Sequence, residues 1–298
     1  MTPFPEPGSV SYRQSYRRCG KPGCSTCTEG RGHGPYWYAG WREGSRTRSV
    51  YVGRTLPEAL PAFGISVRAL GGLEVVLATG RQVQWRRRTR ELFTILLSAP
   101  NGIVPRDEIA YSIWPDSDSF VAFQNLRSAL SALRRALLSA GRIPATPEGI
   151  MLNVPPEARD DVRFESLAGK ALGSNDFEVV ARAMSQWAGE YLPGDRYLEW
   201  TQYRRIGLAD LHTRLARHAG ELARSKVESE RALEWLRPVM AADATDEASA
   251  RAAMRLWLRL GRRTEAVRRF QILARALSTE LGIEPDGETI ELHEEARA

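Results

Sequence analysis

Residues Ala122–Leu137 have the sequence AFQNLRSALSALRRAL, and the pattern of this segment determines how the middle of the chain folds. Leucines recur in it at the 3.6-residue period of an α-helix, at Leu126, Leu130, Leu133 and Leu137. The spacing predicts a helix over residues 119–139 with one face buried in a core.

A second face of the same helix is polar and contains no acidic residue. Its members are Gln124, Arg127, Ser128, Ser131, Arg134 and Arg135. Arginine can bind a guanine edge through two hydrogen bonds, glutamine can pair with adenine, and serine adapts to either base. The pattern therefore indicates a helix that enters the major groove of DNA. A basic surface helix without a ligand is the alternative for this segment alone.

The neighbouring segments have the order of a winged helix-turn-helix. Short β-type runs, two amphipathic helices and a hairpin surround helix 119–139, at Ser66–Leu70, Leu73–Leu77, Gln82–Trp85, Thr89–Ser98, Pro105–Trp114 and 141–154. In this fold the second helix crosses the DNA backbone and the third enters the groove. The hairpin at 142–153, with its turn at Pro147–Gly149, would contact the backbone or the minor groove through Arg142.

Charge is distributed unevenly along the 298 residues. Residues 1–155 carry a net charge of +9, whereas residues 156–298 carry −3. A basic front half suits a polyanionic partner, and an acidic back half suits protein contacts. Arg86–Arg88 and Arg90 belong to the basic half, where they either contact phosphates or form a solvated charge run.

Composition narrows the class of protein. The chain contains no apolar run long enough to span a membrane and no signal peptide pattern, so we expect a cytoplasmic protein without a membrane partner. Its three cysteines are too few and too close together for a disulfide framework. We find no nucleophile–histidine arrangement and do not expect an enzyme.

Residues from about 160 onwards show helical patterning throughout. Ala232-Leu233-x-x-Leu236 recurs as Ala266-Val267-x-x-Phe270, a spacing of 34 residues. That period is typical of tetratricopeptide helix pairs, which must stack to bury their faces. We expect the tryptophans and histidines of this half to pack between helices rather than to bind a ligand.

The first 60 residues contain a compact set of metal-binding residue types. Cys19, Cys24, Cys27 and His33 provide three thiolates and one imidazole, the donor set that zinc prefers in closed structural sites. Free reduced thiols, or a three-cysteine site completed by water, are the alternatives. Alternation over residues 36–53 predicts a β-hairpin with its turn at Glu43–Gly44. The interleaved arginines and aromatics suit either nucleic-acid contact or a solvated basic surface.

Over residues 66–298 the chain resembles the antibiotic-regulatory-protein (SARP) type of bacterial transcription regulator. That family joins an OmpR-type winged helix to a bacterial transcriptional activator domain of tetratricopeptide-like helices. The resemblance rests on Leu70–Val75, Val104–Ile109, Ile113–Asp116, Asn125–Leu137, Gly194, Glu199-Trp200, Arg204, Gly261-Arg262, Glu265-Ala266 and Glu280–Pro285. Residues 1–60 resemble a small uncharacterised prokaryotic domain with clustered cysteines and a His-Gly-Pro-Tyr motif, here His33–Tyr36.

The chain departs from the SARP pattern at several positions. Pro105 stands where the family usually has a hydroxyl cap, and Ala129 and Ala132 stand where it often has polar or basic residues. The alanines reduce the area of the helix that can contact DNA. The DNA sequence that the protein would bind is therefore not predicted.

We therefore expect a mainly α protein with small β elements in three parts. These are a zinc-stapled β-hairpin module at 1–60, a winged helix-turn-helix at 65–155 and a tetratricopeptide-like domain at 160–298. We expect a transcription regulator that binds double-stranded DNA and whose helical second half contacts itself, RNA polymerase or another partner. The resemblance implies binding to direct repeats as a homo-oligomer. The alternative is a helical scaffold whose winged helix binds protein, and the basic front half favours DNA.

Overall fold

The computed structural model describes residues 10–43, 46–56, 64–100, 102–138 and 142–298. Helices predominate and the sheets are small, so the predicted mainly α fold class is confirmed. Residues 1–9, Gly44 of the predicted hairpin turn, residues 57–63 and Gly141 of the predicted hairpin at 141–154 lie outside these ranges.

The chain divides into two compact units. Unit 1 runs up to Val162 and also includes Gly189–Arg205, and unit 2 consists of Arg163–Ala188 and Ile206–Ala298. The segment Gly189–Arg205, which the sequence places in the C-terminal helical domain, thus folds with unit 1. None of the described helices is long and apolar enough to cross a bilayer.

The N-terminal module of unit 1, residues 10–56, is a three-stranded antiparallel sheet with one helical turn. Its elements are β1 (Ser11–Arg17), α1 (Ser25–Thr28), β2 (His33–Glu43) and β3 (Arg46–Gly53). The predicted hairpin is confirmed as the β2–β3 pair. Sequence reasoning missed β1, because its residues are mostly polar and exposed and lack an alternating apolar pattern.

The central module, residues 64–153, contains three helices and short strands in the predicted order. The elements are β4 (Ile65–Arg68), β5 (Glu74–Leu77), α2 (Arg87–Ser98), β6 (Ile103–Val104), α3 (Arg106–Ile113), α4 (Ser119–Ala136) and β7 (Ile150–Met151). The predicted third run at Gln82–Trp85 is reduced to a single bridge between Val76 and Gln82.

The leucine face of α4 forms the centre of this module, as the sequence predicts. Leu126, Leu130, Leu133 and Leu137 are all less than a tenth exposed. Helices α2 and α3 both pack against α4, and Phe93 and Ile109 on them are fully buried. Burial of a leucine or phenylalanine side chain stabilises a fold by about 1.5–3 kcal/mol, so this core fixes the orientation of α4.

The segment Gly189–Arg205 attaches to α2 of the central module. The Tyr191 hydroxyl lies 3.1 Å from Ser98 Oγ, and Trp200 Nε1 donates to Thr94 Oγ1 at 3.1 Å. Both Tyr191 and Thr94 are fully buried. These contacts, remote in sequence, explain why the segment belongs to unit 1.

Helices make up almost all of the remaining chain. Their bounds are α5 (Asp160–Leu172), α6 (Phe177–Met184), α7 (Glu199–Leu222), α8 (Lys226–Ala242), α9 (Glu247–Arg259), α10 (Arg263–Ala276) and α11 (Gly287–Arg297), with a π-helical turn at Leu277–Leu281. The two copies of the 34-residue repeat lie on α8 and α10, where Ala232 and Ala266 are fully buried. Helices α8 to α11 pack in sequence, which confirms the predicted stacking.

Tryptophans of unit 2 are half-buried and pack against neighbouring rings, as expected, and His212 is buried. Trp187 contacts Phe164 and His212 with ring centroids 5.0 and 4.5 Å apart, and Trp235 stacks on Phe177 at 5.8 Å. Burial lowers the pKa of His212 to about 4, so this imidazole is neutral at pH 7.

Candidate nucleic-acid and metal sites

Helix α4 presents most of its predicted polar face to solvent. Five of the predicted DNA-contacting side chains are exposed on it, namely Gln124, Arg127, Ser128, Ser131 and Arg135. Gln124, Arg127, Ser131 and Arg135 follow at intervals of three or four residues and so share one side of the helix. Within the part of the chain that the structure describes, no residue hydrogen-bonds the Arg127 guanidinium. This side of α4 is therefore open to a ligand.

The start of α4 is fixed by its own residues. Asp118 caps the helix, its carboxylate accepting a hydrogen bond from the Phe120 backbone N–H at 2.9 Å. A capping carboxylate at a helix N-terminus is typically worth about 1 kcal/mol. The cap fixes where α4 begins and therefore which residues lie at the N-terminal end of its exposed side.

Sequence reasoning missed the exposed aromatic residues Phe120 and Phe123 of α4 and Tyr111 of α3. Phe120 is 69% exposed and, four residues before Gln124, extends the exposed side of the helix. Tyr111 of α3 is 76% exposed. The available signal was the helical spacing from Phe120 to Gln124, since a phenylalanine in a groove can contact a thymine methyl group.

Arg134 has a different role from the one predicted. Its Nε and Nη2 atoms donate to the Ile143 carbonyl at 3.1 and 2.8 Å, and the side chain is half-buried. The guanidinium thus links α4 to the hairpin that follows it. These two hydrogen bonds occupy the pair of donors with which an arginine would bind a base edge.

Arg142 is a clear correction to the sequence-based expectation. The residue was predicted to reach the minor groove from the hairpin, but it is only 5% exposed. Its Nη2 donates to the Gly64 carbonyl at 3.1 Å. Because a buried guanidinium must be hydrogen-bonded within the protein, Arg142 holds the hairpin to the start of β4.

The hairpin at 142–153, called the wing below, forms as predicted around Pro147–Gly149. Thr146 N–H donates to the Gly149 carbonyl at 2.8 Å, and Asn153 N–H donates to the Arg142 carbonyl at 2.8 Å. Gly149 has a φ of +159°, and a Cβ there would lie 2.3 Å from the Val104 carbonyl oxygen. Only glycine allows this close approach of the wing to β6.

The arginine run at the start of α2 pairs with carboxylates of the protein. Arg90 forms two hydrogen bonds to Asp195, with Nε at 3.0 Å and Nη2 at 2.7 Å. Arg87 and Arg88 both pair with the nearly buried carboxylate of Glu91, at 3.0 and 2.8 Å. These pairs leave Arg86 as the one member of the run for which no partner is recorded among the described residues.

The four predicted metal ligands converge in the N-terminal module. The ligand atoms of Cys19, Cys24, Cys27 and His33 all lie within 4.8 Å of one another. Cys24 Sγ is 3.3 Å from His33 Nε2, and Cys27 Sγ is 3.7 Å from Cys19 Sγ. A tetrahedral ion with bonds of about 2.3 Å to sulfur separates its sulfur ligands by about 3.8 Å. The donor set and its spacing therefore fit a metal ion.

Local structure explains how these four residues meet. The helical turn α1 carries Cys27, Cys24 directly precedes it, and His33 begins β2. Gly32 has a φ of +98°, and a Cβ at this residue would lie 2.9 Å from the Arg17 carbonyl oxygen. A hydrogen bond from the Lys21 backbone lowers the pKa of Cys19. The cluster thereby ties the end of β1 to the start of β2.

Comparisons with known proteins match both ends of the chain. Residues 160–297 match the bacterial transcriptional activator domain, and residues 3–62 match a domain of unknown function, DUF6788. The second half of the chain is therefore similar to the bacterial transcriptional activator domain, as the resemblance implied. No curated protein matches the chain in sequence.

One solved structure shares the fold over most of the chain. It is EmbR of Mycobacterium tuberculosis in complex with a low affinity phosphopeptide, with a TM-score of 0.66 and 19% sequence identity. The match covers 78% of this chain and 65% of that chain. At this identity the likeness concerns the fold.

Proposed function

We propose that this protein is a DNA-binding transcription regulator in which α4 enters the major groove. Gln124, Arg127, Ser128 and Ser131 contact base edges, and Arg135 contacts a phosphate. The observation that carries the proposal is the division of α4 into a buried leucine face and an exposed acid-free face, in a chain whose second half is similar to the bacterial transcriptional activator domain. As a regulator of this kind the protein needs no catalytic site.

The structure supports a narrower contact surface than the sequence predicts. Arg134 and Arg142 bind the carbonyls of Ile143 and Gly64, so they orient the wing instead of contacting DNA. Phe120 extends the exposed side of α4 and supplies an apolar contact for a thymine methyl group. The wing contacts the phosphate backbone, where position matters more than base identity.

The helical second half mediates contacts between proteins in this proposal. Its activator domain serves self-association on DNA direct repeats or contact with RNA polymerase, as the SARP resemblance implies. The net charge of −3 on residues 156–298 is consistent with protein rather than DNA contacts. The net charge of +9 on residues 1–155 is consistent with DNA contacts by the first half of the chain.

The cysteine cluster binds zinc in a structural role. Three thiolates and one imidazole saturate a tetrahedral ion and leave no open position for a substrate. Bound zinc supplies a cross-link between β1 and β2 in a module too small to fold on a hydrophobic core alone. The protein works without a membrane partner and resides in the cytoplasm.

A binding experiment with genomic DNA fragments tests the proposal. We expect wild-type protein to retain a subset of fragments, with an affinity that falls about 10³-fold or more between about 50 and 200 mM salt. The Arg127→Ala/Ser131→Ala variant should lose the preference for that subset but keep its melting temperature. If both proteins bind all fragments equally, or neither binds any, the winged helix acts on another partner.

A further inference from the structure

The sheet of the N-terminal module has two faces with different chemistry. In an antiparallel pair, directly opposed residues point to the same side. Arg13, Tyr38 and Tyr51 stand opposite one another across β1, β2 and β3, so they share one side, called the outer face below. Tyr12, Ala39 and Val50 are opposed in the same way on the other side, called the inner face.

The inner face docks on the central module within unit 1. The Tyr12 hydroxyl donates to the Ala78 carbonyl at 3.0 Å, and Ala39 is fully buried. Trp41 lines a small cavity together with Leu137 and Leu138, the residues that directly follow α4. The inner face is therefore occupied by the protein, and the N-terminal module is held at the carboxyl end of α4.

The outer face carries a cluster of three tyrosines bordered by arginines. The ring centroids of Tyr36 and Tyr38 lie 6.2 and 5.5 Å from that of Tyr51. Arg17 lies over Tyr38 and Arg54 over Tyr36, at 5.7 and 5.8 Å from the ring centroids.

Two further arginines, Arg13 and Arg42, are exposed on the same side. The described residues of this face include no acid. A continuous cationic surface with tyrosine hydroxyls thus points away from the rest of unit 1.

We propose that the outer face is a second DNA-binding surface that contacts the phosphate backbone of duplex flanking the segment bound by α4. Arginine and tyrosine hydroxyl groups are common phosphate donors in protein–DNA complexes, and their contacts are independent of sequence. Four guanidinium groups on one small sheet, namely those of Arg13, Arg17, Arg42 and Arg54, give the charge complementarity. The inference rests on the proposed function, because α4 brings the duplex to unit 1.

The geometry of the tyrosine cluster favours duplex phosphates over single-stranded bases. Binding of single strands depends on aromatic faces that are free to stack on bases. Here the rings pack against one another at angles of 62° and 59°, and guanidinium groups lie over two of them. The Tyr38 hydroxyl also accepts a hydrogen bond from Arg17 at 2.8 Å. The surface therefore offers hydrogen-bond donors and positive charge more than open ring faces.

The test compares salt dependence in two matched double variants of the full chain. Arg13→Ala/Arg42→Ala removes two cations from the outer face, and Arg237→Ala/Arg268→Ala removes two exposed cations from unit 2. Fluorescence anisotropy is measured from about 50 to 200 mM salt on a long random-sequence duplex, on a selected duplex trimmed to the segment bound by α4, and on oligo(dT). Metal content and melting temperature verify that each variant folds.

We expect the outer-face variant to lose about two units of salt slope on the long duplex, since each phosphate contact contributes about one. Its affinity deficit should then be about 10-fold larger at the low than at the high salt concentration. On the trimmed duplex the outer-face variant should bind like wild type. The unit 2 variant should bind like wild type on every duplex.

An unchanged slope for the outer-face variant on the long duplex would overturn this inference and leave the role of α4 standing. The outer-face variant could instead lose salt slope while Arg127→Ala is indistinguishable from wild type on every duplex. That result would support DNA binding by the outer face and reject the proposed function. Tighter binding to oligo(dT) than to duplex, lost in the outer-face variant, would make the occupant a single strand and contradict the inference.

Discussion

Arg134 of α4 donates two hydrogen bonds to the Ile143 carbonyl of the wing, from Nε at 3.1 Å and from Nη2 at 2.8 Å. The two residues are nine positions apart, with Arg134 in α4 and Ile143 in the wing. This side chain thus links the two elements that the proposal places on DNA. Its loss should affect every duplex alike, because the wing carries no base-specific contact.

Replacement of Arg134 by alanine should therefore destabilise the central module by about 1.5–3 kcal/mol, the range for hydrogen bonds to a charged group. Affinity for selected and random duplex should fall by the same factor. Arg135→Ala is the matched control, since Arg135 is exposed, and it should weaken binding without lowering the melting temperature. Equal melting temperatures for the two variants would show that the Arg134 contact adds nothing to the fold.

The metal cluster predicts a defined stoichiometry. Protein purified from zinc-supplemented medium should contain one zinc ion per chain by elemental analysis, and Cys27→Ser should lose most of it. Ser25→Ala changes an exposed neighbour that is not a ligand and should keep the full complement. Chelation should expose three titratable thiols and lower the melting temperature of unit 1. Retention of full zinc content by the Cys27 variant would contradict the assigned ligand set.

Buried His212 predicts acid sensitivity of unit 2. Its pKa is about 4 in the folded state, below the ordinary value of 6.5, because burial disfavours the cation. Between these values the unfolded chain binds more protons, so stability is fully present above about pH 6.5 and is lost as the pH falls towards 4. The loss integrates to about 3 kcal/mol.

Thermal melts from neutral to acid pH measure this effect. His212→Phe keeps an aromatic ring against Trp187 and should flatten the pH dependence, while His218→Gln leaves His212 in place and should keep it. Identical pH profiles for wild type and the His212 variant would show that the acid sensitivity comes from other groups.

Periodicity predicted the helical parts of the fold well. Leu126 and Leu133 are buried where their spacing places them, and the 34-residue repeat lies on stacked helices α8 and α10. These signals are local, since a helix turns its own residues to one side. The sequence did not predict strand β1, because pairing with β2 holds this strand in place and its own residues lack an apolar pattern.

The sequence could not separate arginines that face DNA from arginines that hold the protein together. Arg127 and Arg134 share one side of α4, and only the position of the Ile143 carbonyl distinguishes them. Arg142 and Arg90 likewise find partners remote in sequence, at Gly64 and Asp195. The metal cluster was predictable because its four ligands lie within 15 residues and their chemistry specifies the geometry.

Sequencing of the duplexes that the protein selects from its own genome decides whether α4 reads DNA. Wild-type protein and the Arg237→Ala control should enrich one shared motif, arranged as direct repeats. Arg127→Ala should relax the preference at one base pair of each repeat, at a cost of about 1–3 kcal/mol for the preferred base. Enrichment of the same motif, with the same preference at every position, by the Arg127 variant would contradict the assignment of α4 as the element that reads the groove.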